Sequence, residues 1–162
     1  MDKVTKAIEF AAKAHDGMVR KKDKTPYILH PLEAAVIVGT MTDNQDVISA
    51  AVLHDVVEDT DITIEEIEEK FGSRVRKLVE SETENKRKDL PPENTWRIRK
   101  EESLNELKNN KDVAVHMIWL GDKLSNMRSF YRLKKKEGAS MWQSFNQKDP
   151  EQQFWYYRTI AT

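Results

Sequence analysis

Residues 50–59 read AAVLHDVVED and decide the fold class. Six aliphatic residues flank four ionisable ones, and no alternation of apolar and polar residues indicates a strand, so the stretch predicts a buried helix. Burying His54, Asp55, Glu58 and Asp59 among aliphatic side chains is costly unless a positive partner offsets the carboxylate charges. A divalent cation does this best. The stretch therefore predicts a metal site inside a helical protein.

Two further residues have contexts that suit the same site. His30 lies in residues 26–31, PYILHP, at the predicted start of a helix, and Asp122 lies in residues 120–126, LGDKLSN. A mixed imidazole and carboxylate set suits Mn²⁺, Fe²⁺ or Zn²⁺ better than Ca²⁺ or Mg²⁺. Four protein ligands leave open positions only on a five- or six-coordinate metal, which favours manganese or iron. The predicted metal ligands are His30, His54, Asp55 and Asp122.

The acidic pair that follows the His-Asp dipeptide has a predicted chemical role. On one helix, His54 shares a face with Glu58, and Asp55 shares a face with Asp59. We expect Glu58 to orient or deprotonate an attacking water. Asp59 is the alternative for this role, or it holds a metal ligand in place. Together with a metal, this chemistry suits phosphate ester hydrolysis.

Composition narrows the class of protein. A chain of 162 residues is large enough for one domain with a real core. The net charge of −1 favours no nucleic-acid or membrane partner, and the expected ligand is a small molecule. The absence of cysteine excludes disulfides and cysteine-based zinc sites. No apolar run approaches a membrane span and no signal peptide is recognisable, so we expect a cytoplasmic protein.

Helical periodicity dominates the chain and predicts an all-α bundle of about eight helices. One of these helices is expected at about 45–58, and the charged stretch 85–92 is the predicted loop. We expect a single domain over residues 1–162. The sequence stops inside a predicted helix at Thr162, so an extension of the natural chain is left open. The sequence gives no indication of the oligomeric state.

Two other features have structural explanations. The dipeptide His15-Asp16 lies at a helix end and has no acidic pair after it, so we interpret His15 as structural and expect it to bond neighbouring backbone. His116 lies six residues before Asp122, on another side of an ideal helix, and is also interpreted as structural.

Four motifs together resemble the HD superfamily of metal phosphohydrolases, and most closely the hydrolase domain of the RelA/SpoT family and its small stand-alone versions. They are residues 17–21, GMVRK; 25–31, TPYILHP; 51–60, AVLHDVVEDT; and 122–128, DKLSNMR. The similarity runs from the first helix to about Phe130. The 162 residues have no room for a synthetase domain, so we expect hydrolysis only.

The resemblance implies an activity and a set of site residues. Family enzymes use Mn²⁺ to remove the 3′-pyrophosphate from guanosine tetra- and pentaphosphate. The resemblance implies metal binding by His30, His54, Asp55 and Asp122, and catalysis by Glu58 and Asp59. It also implies nucleotide or phosphate binding by Arg20, Lys21, Tyr27, Asn126 and Arg128.

The chain departs from the family pattern at several positions. Met18 stands where the family usually has Gln, Gly121 where it has Ala, and Ser125 where an aromatic residue or His is common. Residues 95–100, TWRIRK, are more similar to a less characterised group of short HD proteins. We expect Trp96 to pack in the core and the basic side chains after it to lie on an exposed face, with contact to a substrate phosphate as the alternative: Arg97, Arg99 and Lys100.

Two other functions remain open at this stage. The same site could act on another nucleotide, such as a nucleoside monophosphate or the 2′-phosphate of NADPH. A nucleotide-sensing module without turnover is the alternative outside enzymes, although the retained Glu58 and Asp59 favour an enzyme. Cyclic dinucleotide hydrolysis is disfavoured because the Gly-Tyr-Pro signature of that branch is absent.

Overall fold

The computed structural model describes residues 1–21 and 24–162, and Lys22 and Asp23 lie outside the described part. Its helices follow one another along the chain. They are α1 (Lys3–Ala14), α2 (Leu29–Gly39), α3 (Gln45–Leu53), α4 (Val56–Asp59), α5 (Ile64–Phe71), α6 (Ser73–Glu82), α7 (Pro92–Asn109), α8 (Val113–Glu137), a 3-10 helix (Gly138–Ser144) and α9 (Pro150–Ala161).

The all-α prediction is confirmed. The described residues form eight α-helices of at least eight residues, the single turn α4 and the 3-10 helix. Within that part of the chain, the only strand-like pairing is an isolated antiparallel bridge between Val19 and Pro26. No helix in the described ranges has the length and apolar content needed to cross a membrane.

The helices group into two compact units. The first unit comprises Met1–Thr83 and Asp112–Met127, and the second comprises Glu84–Lys111 and Arg128–Thr162. Helix α8 contributes to both. The expectation of one domain over residues 1–162 stays a prediction.

Helix α3 is the centre of the first unit and packs against α1, α2 and α6. Asn44 caps its start by accepting hydrogen bonds from the backbone N–H groups of Asp46 and Val47. Every residue from 49 to 54 is buried. The apolar run therefore forms a buried helix, as its composition predicts, and delivers His54 to the interior.

The predicted single helix at 45–58 is wrong in one respect, because it is interrupted at His54 and Asp55. The His54 Nδ1 atom lies 2.6 Å from the carbonyl oxygen of Ala51. In an unbroken helix that carbonyl accepts from the N–H of Asp55. The side chain of His54 therefore competes with the helix backbone, and the chain resumes as the separate turn α4.

A close helix contact brings α2 and α8 together in the first unit. A Cβ atom at Gly121 would lie 2.7 Å from the carbonyl oxygen of Ala34 and 3.0 Å from Val38 Cγ2. Both distances are shorter than a normal contact, so only glycine fits. The departure from the family's Ala thus has a direct structural consequence.

The second unit has an aromatic core. Trp96 is buried and packs edge-on against Trp155 and Tyr156, which confirms the packing interpretation of Trp96. A second cluster joins Leu133, Met141 and Trp142 with two partly buried aromatic residues.

The exposed-face expectation is wrong for Arg99. Its side chain is buried and donates to Glu84 Oε1 at 2.5 Å, to Thr95 Oγ1 and to the carbonyl of Pro92. Lys100 also donates to Glu84, at 3.0 Å. The guanidinium of Arg97 lies 3.3 Å from the centroid of the Trp155 ring. These cations neutralise a buried carboxylate or cover an aromatic ring within the second unit.

Candidate metal centre

Two imidazoles and two carboxylates converge in the first unit. His30 Nε2 lies 2.9 Å from Asp122 Oδ1 and 3.4 Å from Asp55 Oδ2. His54 Nε2 lies 3.1 Å from Asp55 Oδ2 and 3.3 Å from Asp122 Oδ1. The structure therefore brings together all four residues that the sequence predicts as metal ligands. Three of them, His30, His54 and Asp122, present ligand atoms that all lie within 4.8 Å of one another.

The two imidazoles point the same nitrogen at the carboxylates. His54 Nδ1 faces Ala51 O and His30 Nδ1 faces Ser125 Oγ at 2.9 Å, which leaves each Nε2 for the site. His54 Nε2 is buried and has no hydrogen-bond partner among the described residues. A buried polar atom without a hydrogen-bond partner is uncommon, and coordination of a metal ion by this nitrogen would satisfy it. The donor set thus fits a divalent cation.

The carboxylates also have supporting contacts. The Tyr27 hydroxyl donates to Asp55 Oδ2 at 2.6 Å. Lys123 Nζ contacts Asp122 Oδ2 at 2.6 Å, and Asn126 Nδ2 donates to Asp122 Oδ1 at 3.4 Å. These contacts restrict the orientation of both carboxylates.

The electrostatics favour ionised carboxylates. Burial alone would raise the pKa of Asp122, but the charges of Lys123 and His54 outweigh burial and hold it well below its usual value. Asp55 behaves alike, since His54 and His30 overcome its burial and lower the pKa of its carboxyl. Burial opposes protonation of His54, yet Asp55 and Asp122 raise the pKa of its imidazole. A cation placed among these groups would take over the role of the proton.

Glu58 and Asp59 lie on α4, directly after the ligand pair, and are half-buried. The N–H of Asp59 donates to the carbonyl of Asp55 at 3.0 Å, so these two residues are still one helical turn apart. The break at His54 and Asp55 therefore preserves the predicted layer of acidic residues beyond the ligands. Their catalytic role stays a prediction.

Part of the predicted substrate-binding set also gathers in this unit. Arg20 Nη2 donates to Asn126 Oδ1 at 3.3 Å, and the guanidinium lies 5.7 Å from the centroid of the Tyr27 ring. Lys21 follows in an exposed turn. Backbone bonds between Arg20 and Thr25 and between Met18 and Tyr27 fold this segment back on itself.

Tyr27 and Arg128, two residues of the predicted substrate-binding set, lie in different environments. The Tyr27 hydroxyl is engaged with Asp55, and burial followed by the charges of Asp55 and Asp59 raises the pKa of Tyr27, so the phenol stays protonated. Arg128 is exposed on α8 and belongs to the second unit. Contact of either residue with a nucleotide stays a prediction.

Sequence reasoning missed Glu82, the last residue of α6. Its Oε1 atom is buried and has no hydrogen-bond partner among the described residues. Burial, with a smaller contribution from the charge of Asp122, raises the pKa of Glu82 to about 8. No local pattern could identify it, because its environment is set by residues 40 positions away along the chain.

Neither histidine interpreted as structural belongs to the group whose possible ligand atoms lie within 4.8 Å of one another. His15 is buried beside Tyr27, with ring centroids 5.1 Å apart. The expected hydrogen bond to backbone is wrong, because neither ring nitrogen has a partner in the described part of the chain. His116 is exposed on α8.

Comparison with known proteins gives consistent matches. The model of the family described as HD domain matches residues 7–149. The guanosine-3′,5′-bis(diphosphate) 3′-pyrophosphohydrolase of Xenopus tropicalis is 41% identical over 133 residues, which cover 80% of this chain and 70% of that protein. An Aquifex aeolicus protein of the same name is 35% identical over 136 residues, covering 84% of this chain and 19% of its own length.

A solved structure agrees in fold. It belongs to a metazoan ortholog of SpoT that hydrolyses ppGpp, and it is 28% identical with a TM-score of 0.77 over 99% of this chain and 84% of that one. The chain nevertheless spans only 14–19% of the first curated relatives it matches. Because the family model covers most of its length, the chain belongs to the HD domain family, and it is related to the RelA/SpoT-type hydrolases.

Proposed function

We propose that this chain is a metal-dependent enzyme that hydrolyses guanosine-3′,5′-bis(diphosphate), ppGpp, to GDP and pyrophosphate. The convergence of His30, His54, Asp55 and Asp122 is the observation that carries the proposal. Relatives that share the fold and are named for this reaction supply the substrate.

The proposed cofactor is Mn²⁺, with Fe²⁺ and Zn²⁺ as alternatives. Two imidazoles and two carboxylates suit these ions better than Ca²⁺ or Mg²⁺. When bound, such an ion supplies Lewis acidity, which lowers the pKa of water and polarises a phosphoryl oxygen. The four side chains would hold it, and Tyr27 would keep Asp55 oriented through its hydroxyl.

Side chains of α4 would activate the attacking water. Release of pyrophosphate requires attack of water on the phosphorus bonded to the ribose 3′-oxygen, with that oxygen as leaving group. Glu58 would accept the proton of the attacking water, and Asp59 is the alternative for this role. Both residues follow Asp55 within one turn of helix.

The substrate would be bound by basic and amide groups near the centre. Arg20 and Asn126 already contact each other, and Lys21 is exposed next to Arg20. A guanidinium can grip a phosphate with two donors and can stack on a purine. We therefore propose that Arg20, Lys21 and Asn126 bind the nucleotide, with Tyr27 and Arg128 as further contacts.

A nucleotide panel tests this proposal. Purified metal-free protein receives Mn²⁺ and then ppGpp, a nucleoside monophosphate or NADPH, and pyrophosphate and orthophosphate are measured separately. We expect pyrophosphate from ppGpp only, and loss of activity with EDTA and in Asp55→Ala. The matched control is Asp16→Ala, in the other His-Asp dipeptide of the chain, which should remain active.

Other outcomes would replace the proposal. Orthophosphate from another nucleotide would keep the metal site and change the substrate. Nucleotide binding without turnover of any substrate would indicate a sensing module. The cytoplasmic location and the absence of a nucleic-acid partner stay predictions.

A further inference from the structure

A chain of two hydrogen bonds ends at His30. The His30 Nδ1 atom lies 2.9 Å from Ser125 Oγ, and Ser125 Oγ donates to Glu33 Oε1 at 2.7 Å. His30 and Ser125 are 5% and 1% exposed, so water competes little for either bond. The three side chains come from two helices, α2 and α8, within the first unit.

The proton positions in this chain follow from its members. A serine hydroxyl has one proton, and the carboxylate of Glu33 is an acceptor only. Since Ser125 donates that proton to Glu33, its oxygen must accept the hydrogen bond from the N–H at His30 Nδ1. A neutral imidazole protonated at Nδ1 has its lone pair on Nε2, the atom 2.9 Å from Asp122 Oδ1.

The other imidazole is oriented by a different contact. His54 Nδ1 faces the backbone carbonyl of Ala51, 2.6 Å away. That acceptor belongs to the main chain and is present whatever the side chain at position 51. The tautomer of His30, by contrast, depends on two side chains, and one of them, Ser125, departs from the residues usual in the family.

The backbone allows this arrangement through Gly121. Gly121 and Ser125 are one turn apart on α8, and they contact Ala34 and His30, which are one turn apart on α2. The absence of a side chain at Gly121 lets the helices approach closely enough for the short hydroxyl of Ser125 to reach the imidazole. The two departures from the family pattern therefore act together.

We propose that Ser125 and Glu33 are positioning residues that hold His30 as an Nδ1-protonated metal ligand through a His30–Ser125–Glu33 relay. Outer hydrogen bonds of this kind orient the ring and increase ligand basicity, and their loss typically costs about 10–100-fold in metal affinity. The inference rests on the metal site of the proposed function but not on its substrate.

The test measures Mn²⁺ binding by isothermal titration calorimetry with the full chain after metal removal. We expect Ser125→Ala to weaken Mn²⁺ binding by about 10–100-fold. Glu33→Gln, which keeps an acceptor but removes its charge, should cause a smaller loss. The matched control is Ser49→Ala, because Ser49 is fully buried in the same unit and its hydroxyl has no hydrogen-bond partner among the described residues.

A double variant separates a relay from two independent effects. Because Glu33 is proposed to act through Ser125, Ser125→Ala with Glu33→Gln should bind Mn²⁺ within about twofold of Ser125→Ala alone. Additive losses would overturn the relay. Unchanged Mn²⁺ affinity in Ser125→Ala would overturn the proposal, as would an equal loss in Ser49→Ala.

The wild-type protein offers a second measurement if Ser125→Ala does not fold. With diamagnetic Zn²⁺ bound, a long-range ¹H–¹⁵N spectrum of the His30 ring should show the proton on Nδ1. A proton on Nε2 would overturn the proposal. Neither measurement involves ppGpp, so a failed relay would leave the proposed hydrolysis standing, and inactivity on ppGpp would leave the relay standing.

Discussion

Each of the four proposed metal ligands makes a second contact within the protein, and those contacts differ in kind. His54 uses a backbone carbonyl, His30 a serine hydroxyl, and Asp55 a phenol. Such contacts reduce the number of orientations that each ligand samples before metal binds. The cost of burying the carboxylates is offset by the imidazoles and Lys123 even before a cation is present.

The roles of the acidic pair are separable by substitution. Glu58→Gln should keep Mn²⁺ affinity, because Glu58 is outside the proposed ligand set, and should lower kcat by about 10²–10⁴-fold, the range typical of general acid–base groups. Steady-state kinetics on ppGpp measure the expected loss in kcat, and calorimetry with Mn²⁺ measures the expected unchanged affinity. Glu69→Gln, exposed on α5, is the control. If Glu58→Gln remains fully active while Asp59→Asn is inactive, the roles are reversed.

Glu82 makes the metal-free protein sensitive to pH. Its pKa is about 8 in the folded state against an ordinary value of 4.5, so folding favours its protonated form. The stabilisation is therefore complete below pH 4.5 and is lost as pH rises through 8, with a slope of at most about 1.4 kcal/mol per pH unit. Glu82→Gln cannot ionise and should lose less stability over this range.

Urea denaturation of EDTA-treated wild type and Glu82→Gln between pH 5 and 9 measures this effect. The free energy of unfolding of Glu82→Gln, relative to wild type, should increase with pH. A difference that stays constant across the range would contradict the assigned environment of Glu82.

At the residue scale, the sequence singled out the four residues that converge, which are the proposed metal ligands, but not the contacts that hold them. His54 and Asp55 stand out because ionisable residues in an aliphatic run need compensation, and this is a local property. The partners are distant: Ser125 is 95 residues from His30, and Asp55 is 28 from Tyr27. Side-chain contacts between residues so far apart in the chain depend on how the helices pack, and the pattern of a single sequence does not predict that packing.

At the scale of elements, the apolar run correctly predicts that α3 is buried, but not where it ends. Periodicity continues through residue 58, whereas the helix ends at Leu53 because the imidazole of His54 takes the carbonyl of Ala51. Side-chain competition for backbone acceptors is invisible to a hydrophobic pattern. Gly121 is a second example: its low helix propensity is visible in the sequence, but its close contact with the Ala34 carbonyl on α2 is not.

Gly121→Ala tests that contact. Its Cβ atom would overlap the carbonyl of Ala34, so we expect a loss of about 1–3 kcal/mol in unfolding free energy, in the range of overpacked cores. Urea denaturation measures it. The matched control is Gly39→Ala on α2, where a Cβ atom meets nothing within 4 Å and alanine should be neutral or stabilising. Equal effects at the two positions would contradict the close approach of α2 and α8.

At the scale of the whole molecule, sequence predicted an all-α protein because helical periodicity covers nearly the full chain. It did not predict the division into two units. Nor did it predict the burial of Arg99, because the usual preference of arginine for solvent is overridden by the hydrogen bonds of its guanidinium to Glu84, Thr95 and the Pro92 carbonyl. A buried ion pair of this kind is recognisable only once both partners are placed.

Arg99→Met should destabilise the second unit. It removes the Arg99 guanidinium from the Glu84 carboxylate, which keeps its contact with Lys100, and breaking one side of a buried pair typically costs about 3–5 kcal/mol. The loss should appear in thermal or urea unfolding. Arg158→Met, on an exposed part of α9, should change stability by no more than about 0.5 kcal/mol. If both variants match wild type, the Arg99–Glu84 pair contributes nothing to the unit.

The ratio of the products formed from ppGpp tests the proposed metal-dependent hydrolysis most directly. Metal-free protein is supplied with Mn²⁺, and GDP and pyrophosphate are quantified in the same reaction over time. We expect one pyrophosphate for each GDP, with no product when His54 is replaced by Ala or when EDTA is added. Release of orthophosphate instead, or equal turnover by His54→Ala, would contradict it.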